Sequence, residues 1–402
     1  MRISTAQLYQ QSVSQILNKQ TALGRLQAQI ASGKRILSPA DDPAAAARVL
    51  DIDRQQELTR QFQTNADLAM KRLENEESII AAATTTVQRV RELALRGRNT
   101  HLTDDDRRFV AAEVRERLKE LVALGNTIDG NGDFLFAGHQ AKVLPFTQDA
   151  TTGLVTYNGD QGSRLIEVSP GRTIADGDPG DAVFMAIRNG NGTFVTGPNP
   201  ANTGSGVIVS GGVTNAPAWT GHDYRIVFTT ATTFDVIDDT TATTIAAGVA
   251  YTDGAAITNI PGVSVSISGA PATGDEFNIN PSANQSVFAT IDNLADALET
   301  SIGTPAARAF FAGDVNRSLE DLDQALEKFL EVRATIGARV HAIEGQKNAN
   351  EDIGVQLTAL RSDLEYVNLV EAASQLQLEL TTLQAAERAF ARTQGLSLFD
   401  FL

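Results

Sequence analysis

Four histidines, His101, His139, His222 and His341, are the side chains of this sequence best suited to acid–base or metal chemistry near neutral pH. None stands in an H-E-x-x-H or H-x-x-E-H spacing, the arrangement that puts two imidazoles on one helix face around zinc. They read instead as polar surface or interface residues. The chain has no cysteine, which removes thiolate nucleophiles, thiolate metal sites and disulfides together. It carries no G-x-S-x-G elbow and no G-x-x-x-x-G-K-[ST] phosphate loop. Gly190-Asn191-Gly192 lies in a Thr- and Pro-rich stretch with no helix after it, and reads as a turn. Asp104-Asp105-Asp106 has the charge density of a cation site, but Thr103 and Asp106 have the spacing of a capping box. Carboxylates there complement the positive end of a helix. Capping also accounts for Asp41-Asp42. The sequence therefore offers no catalytic, metal-binding or cofactor-binding residue, and the expectation is a protein that is not an enzyme.

The chain has 402 residues, 42% of them hydrophobic and 20% charged, enough for two or three folded domains. Its net charge of −16 argues against nucleic acid as a partner, because duplex binding needs a basic footprint. The same charge argues against an anionic membrane surface. The first residues, Met1-Arg2-Ile3-Ser4-Thr5-Ala6-Gln7-Leu8-Tyr9-Gln10-Gln11, hold no apolar core of a Sec signal, and no stretch approaches the ~18 apolar residues of a spanning helix. The expectation is a soluble chain, or one that leaves the cytosol by a route needing no such signal. A chain without cysteine works equally well outside the cell.

Both ends read as helix. Val13, Ile16, Gln20, Leu23, Gln27 and Ile30 alternate spacings of three and four, a heptad seam diluted by glutamine. Gly33 stands where a C-cap glycine belongs. Asp42 as N-cap and Pro43 at the first helical position start a second helix. It runs on through Val49, Ile52, Leu58, Phe62, Leu68, Leu73, Ile79, Val87, Val90 and Leu93 to Gly97, roughly 75 Å for about 50 residues. A third helix follows Thr103 and ends near Gly125. Pro305 opens a long stretch with Phe310, Val315, Leu319, Leu322, Leu326, Leu330, Ile336, Val340 and Ile343. The last helix carries Leu369, Ala373, Leu376, Leu380, Leu383, Ala386 and Phe390, and stops at Gly395.

Between about Ala141 and Ser282 the composition shifts to Gly, Thr, Val, Asp, Asn and Pro. Alternating runs such as 224–228, 233–237 and 263–267 predict antiparallel strands. Trp219, the single tryptophan, reads as a core or edge-packing residue. The expected fold is mainly α with an inserted β-rich domain, a long helical coiled-coil bundle made from both chain ends. Its expected parts are 1–35 plus 366–402 (inner terminal helices), 36–140 plus 286–365 (helical rod) and 141–285 (β-rich outer domain).

The segment Ala31-Ser32-Gly33-Lys34-Arg35-Ile36-Leu37-Ser38-Pro39-Ala40-Asp41-Asp42-Pro43-Ala44 resembles the N-terminal signature of the flagellin superfamily. Gly33, Arg35, Ile36, Asp41, Asp42 and Pro43 carry it. Ile336-Gly337-Ala338-Arg339 and Leu383-Gln384-Ala385-Ala386 are similar to that superfamily's C-terminal helices. The resemblance covers roughly the first 140 and last 110 residues, domain-sized blocks of one architecture. Within the superfamily, Gly132-Asp133-Phe134-Leu135-Phe136-Ala137-Gly138 followed by Pro145-Phe146 resembles the hook-filament junction proteins. Phe134, Leu135, Phe136 and Gly138 carry that likeness, as do Leu398, Phe399 and Asp400 in the tail Ser397-Leu398-Phe399-Asp400-Phe401-Leu402. Phe134 and Phe401 depart from the pattern, where Tyr is frequent.

The resemblance implies a structural, extracellular component of the bacterial flagellum that joins hook to filament and is needed for filament assembly. Flagellin, the filament subunit itself, is the alternative. Implied partners are further copies in a homo-oligomeric ring, the first hook-associated protein on the hook side and flagellin on the filament side. Export by the flagellar type III route is implied as well, with a cytosolic secretion chaperone holding the C-terminal helices. The expected assembly residues are Val13, Ile16, Leu23 and Ile30 at one end, and Leu376, Leu380, Leu383 and Phe390 at the other. The same seams could instead pair only within one chain. A glycan-binding or hydrolytic module in the middle region would need a concave row of aromatics, which Trp219, Tyr224 and scattered phenylalanines do not supply.

Overall fold

The computed structural model describes residues 5–99 and 101–395. Leu398, Phe399 and Asp400 lie outside the described residues. The chain is mainly helical, with a β-rich region inserted between helices from its two ends. The helices are α1 (Thr5–Ser32), α2 (Pro43–Gly97), α3 (Asp104–Gly125), α4 (Val287–Glu299), α5 (Pro305–Glu365) and α6 (Leu369–Gly395). Their ends follow local chemistry. Gly33 leaves α1 at φ +70, a conformation that a Cβ would oppose. Asp42 Oδ1 accepts the Ala45 amide at 3.0 Å and caps α2. Thr103 and Asp106 form a reciprocal capping box on α3.

Contacts divide the chain into two compact units, Met1–Thr64 with Gly345–Leu402, and Asn65–Glu344. Both limits fall inside long helices, so α2 and α5 contribute to each unit. In the terminal unit α1 pairs with α6. Lys19 Nζ meets Glu379 Oε2 at 2.8 Å, and the rings of Tyr9 and Phe390 lie 5.4 Å apart.

In the central unit the buried line of α2 is Ala66, Ala69, Leu73, Ile80, Ala83, Val87, Val90 and Ala94, a heptad spacing with Glu76 at the intervening core position. Leu68, expected on the apolar face, is exposed, as is Leu58 in the part of α2 that belongs to the terminal unit. Beside Leu68 the alanines Ala66 and Ala69 take the seam, and small side chains let helices approach closely. On α5 the buried line runs through Phe311, Val315, Leu322, Ala325, Phe329, Val332, Ile336 and Ile343. Leu330, expected inside, faces out, because Phe329 holds the three-four spacing. Helix α4 completes this core with Phe288, Ile291, Leu294 and Leu298. Arg115 on α3 reaches Asp292 and Asp296 of α4 at 3.0 and 2.7 Å.

The inserted region has fourteen strands among the described residues. Three short antiparallel pairs flank its main body: β1 (Phe146–Gln148) with β2 (Val155–Tyr157), β3 (Leu165–Ser169) with β4 (Arg172–Ala175), and β5 (Ile187–Arg188) with β14 (Asn284–Gln285). A five-stranded sheet has the order β10-β9-β8-β13-β6, made from β6 (Phe194–Pro198), β8 (Tyr224–Thr230), β9 (Thr233–Asp238), β10 (Thr243–Ala250) and β13 (Glu276–Pro281). A second sheet orders β11 (Ala256–Ile257), β12 (Val263–Ser268) and β7 (Val207–Val213) as β11-β12-β7. Alternate residues such as Tyr224, Ile226, Phe228, Val263, Val265 and Ile267 fill one shared core. Trp219 packs at its edge, with its ring 5.8 Å from those of Phe194 and Tyr224. The turn at Gly190-Asn191-Gly192 has positive φ at both glycines, and the Gly190 amide donates to Asp321 Oδ1 of α5 at 2.6 Å.

Candidate assembly interface and signature corner

The superfamily signature forms a corner between α1 and α2, stitched to the break between α5 and α6. Lys34 and Tyr366 form an antiparallel β-bridge. The Arg35 amide donates to Glu365 O at 2.7 Å, and the Val367 amide to Gly33 O at 2.9 Å. The Arg35 guanidinium donates to Leu364 O from Nε (3.2 Å) and Nη2 (2.8 Å) and contacts Asp42 Oδ2 at 3.3 Å. Those last carbonyls of α5 have no helical partner, so the Arg35 fork satisfies Leu364 O and the Arg35 amide satisfies Glu365 O, groups that would otherwise need water. Asp41 Oδ2 accepts the Leu37 and Ser38 amides at 3.0 and 2.9 Å. The Ser38 bond is the main cause of its lowered pKa. Asp42 is lowered first by the Ala45 amide. Ile36 lines a cleft of about 200 Å³ with Pro39, Val49 and Leu50. Each of Gly33, Arg35, Asp41, Asp42 and Pro43 thus has a local reason to be where it is.

The segment 132–138 does different work. Phe136 is fully buried and stacks edge-on with Phe184 at 5.2 Å. Its carbonyl accepts the Gly180 amide and the Tyr157 hydroxyl, both at 2.9 Å. Gly138 has φ +69, and a Cβ there would lie 2.5 Å from the Asp160 carbonyl oxygen. Phe134 and Leu135 offer their carbonyls to Arg72 Nη2 at 3.2 and 3.3 Å. Arg72 Nη1 pairs with Asp129 at 2.5 Å. One turn along α2, Glu76 is buried and accepts the Asp178 amide at 3.1 Å. Asp178 in turn receives both nitrogens of the Arg339 fork at 2.9 and 2.8 Å. Burial, then the nearby Asp178 carboxylate, pushes Glu76 up to about 8. Sequence reasoning passed over Arg72 and Glu76. The usable signal is a glutamate at the heptad position between Leu73 and Ile80, where an apolar residue belongs.

The eight residues expected at the assembly interface lie on the facing sides of α1 and α6. Val13, Ile16, Leu23, Ile30, Leu376, Leu380, Leu383 and Phe390 are all half-buried. Lys19 and Leu26 are half-buried beside them, while Gln20 and Gln27 are exposed, so the seam excludes the glutamines assigned to it. Lysine lays its methylene stem on the seam and carries its charge to Glu379. On α6, Ala372 is buried and Ala373 exposed. One helix pair offers each residue only a single partner surface, and no α1 residue of described burial reaches the buried class. Large apolar side chains also face outward on this unit, among them Leu17 (56% exposed), Leu378 (64%) and Val370 (79%).

Two half-buried terminal helices, a signature corner behind them and a β-rich insertion define a subunit of the flagellin class. Residues 3–141 match the bacterial flagellin N-terminal helical region. Flagellar hook-associated protein 3 of Escherichia coli strain K12 is 26% identical over 401 residues, 100% of this chain and 99% of its own length. The crystal structure of Xanthomonas campestris FlgL is 35% identical, with a TM-score of 0.72 over 77% of this chain and 99% of that one. The flagellar hook-associated protein-3 of Legionella pneumophila is 29% identical, with a TM-score of 0.73 over 79% and 98%. The chain belongs to the flagellar hook-associated protein 3 (FlgL) family.

Proposed function

We propose that this chain is a structural adaptor of the bacterial flagellum that joins hook to filament and is required for filament assembly. The observation that carries the reading is the half-buried α1–α6 pair with Leu17, Leu378 and Val370 turned outward. Such a pair gains most by packing against neighbouring pairs, since each remaining Å² of apolar surface removed from water contributes about 25 cal/mol. The end-to-end similarity to hook-associated protein 3 supports the adaptor role over that of flagellin, the filament subunit.

In this reading 1–35 plus 366–402 form the inner layer, 36–140 plus 286–365 the rod, and 141–285 the outer domain. Copies form a homo-oligomeric ring through Val13, Ile16, Leu23, Ile30, Leu376, Leu380, Leu383, Phe390 and the outward apolar residues. The first hook-associated protein lies on the hook side and flagellin on the filament side. The subunit leaves the cell by the flagellar type III route, its C-terminal helices held beforehand by a cytosolic secretion chaperone. A weakly buried helix pair orders fully only among neighbours, which delays assembly until delivery. Full protection of α1 and α6 from protease in a dilute monomer would contradict that delay.

Deletion of the gene tests the adaptor role. Hooks without filaments in electron micrographs, with flagellin shed into the medium, are the expected result. Normal filaments would remove the role, and loss of the main filament protein would reassign the chain as a flagellin.

A further inference from the structure

The network around Arg72 and Glu76 contains two buried polar atoms with no hydrogen-bond partner in the protein, Arg72 Nε and Glu76 Oε2. Their residues are 8% and 1% exposed. Both atoms face one point beside Gly177. A Cβ built on Gly177 would lie 3.5 Å from Arg72 Nε, 3.6 Å from Glu76 Oε2 and 3.8 Å from the Leu135 carbonyl oxygen. The three nearest neighbours of that point are polar. A small void of about 10 Å³ adjoins it, lined by Arg72, Leu135, Gly177 and Asp178 among others. That volume holds about one water-sized probe, and two to four polar partners are what an internal water needs.

We propose that Arg72 Nε, Glu76 Oε2 and the Leu135 carbonyl bind a single internal water beside Gly177. The hydrogen-bond inventory closes. Glu76 Oε1 is taken by the Asp178 amide, so Oε2 carries the proton when the acid is neutral. The water then accepts from Arg72 Nε–H and Glu76 Oε2–H and donates to Leu135 O. When Glu76 is ionised the water turns, donating to Oε2 and to Leu135 O while accepting from Arg72. Either state leaves no buried polar atom of the set unpaired. Gly177 is the residue that leaves room. A side chain there would stand where the water stands.

Two measurements test the site on the full chain. A high-resolution crystal structure is expected to show one density peak about 2.7–3.2 Å from both Arg72 Nε and Glu76 Oε2. Gly177→Ala supplies an opposed prediction. The added methyl meets its neighbours at 3.5–3.8 Å, ordinary contact, and Gly177 has no left-handed φ. In a dry void the change would raise the urea midpoint by stiffening the unfolded chain. With the water displaced and its partners orphaned, the midpoint falls. A missing peak, or a midpoint that holds or rises, overturns the proposal. If Gly177→Ala does not fold, the density of the unsubstituted protein decides alone.

Discussion

Lys34 Nζ lies 2.6 Å from Glu365 Oε1, so the loop leaving α1 is ion-paired to the last residue of α5. The pairing shifts both groups. The Lys34 bond is the main cause of the lowered Glu365 pKa, and the Glu365 bond raises Lys34. A carboxylate lowered in the folded state contributes stability that is present above its ordinary value of 4.5 and lost as pH falls below it. A lysine raised in the folded state contributes stability that is present below its ordinary 10.5 and lost as pH rises beyond it. Glu365→Gln is therefore expected to speed proteolytic cleavage in the 36–40 loop at neutral pH. The unsubstituted protein should show the same weakness only in acid or strong base. Equal cleavage of both proteins at pH 7 would mean the pair is idle.

Arg35→Lys keeps the charge and loses the fork that donates twice to Leu364 O. Because a lysine cannot reproduce planar two-point donation, the corner should lose about 1 kcal/mol. Swimming of cells carrying the variant should fall between the wild type and Arg35→Ala. Wild-type swimming would show that charge alone suffices.

Leu378 is 64% exposed on α6, so Leu378→Asp removes little from the isolated subunit. Its helical circular dichroism should stay unchanged while cells lose their filaments. Leu165→Asp, at a similarly exposed position on β3, should alter neither. Filaments of normal length in Leu378→Asp cells would exclude the outward α6 face from assembly.

Glu76 titrates at about 8 in the folded protein against an ordinary 4.5. Between those values the folded state holds the proton more tightly, so stability falls as pH rises through this window and stays low above it. Burial is the main cause of the shift; the Asp178 carboxylate adds to it, and Arg339 and Arg72 oppose it. Glu76→Gln should remove this slope and stabilise the protein most at and above about pH 8, by on the order of a few kcal/mol, seen as a higher melting temperature. Parallel pH–melting curves for the two proteins would show that Glu76 is not the group responsible.

Gly138 holds φ +69 against the Asp160 backbone. Gly138→Ala must move that loop, and a cost of at least about 2 kcal/mol is expected. Chemical denaturation measures it. A loss under about 0.5 kcal/mol would show that the loop yields freely.

Much of the fold was legible because its signals are local. Gly33, Asp42-Pro43, Thr103 with Asp106, and the alternation in 224–228 and 263–267 act within one turn or one strand, and sequence spacing records them directly. The seams were legible in period but not always in phase. Gln20 against Lys19, Ala373 against Ala372 and Leu330 against Phe329 differ by one residue, roughly 100° of helix rotation. Only a packed neighbour selects between such adjacent faces. The signature corner was visible as a pattern, while its purpose was not. Arg35 finds Leu364, and Lys34 finds Glu365, because tertiary folding brings opposite ends of the chain together. Glu76 shows the same limit most sharply. Its position in the heptad is written in the sequence, but the Asp178 amide, the Arg339 fork and the polar space beside Gly177 come from elements far along the chain. Sequence alone determined the helices, the insertion and the family resemblance, since those rest on short-range periodicity and caps. Tertiary structure decided which faces are spent inside the subunit and which remain for neighbours, because burial depends on everything that packs nearby.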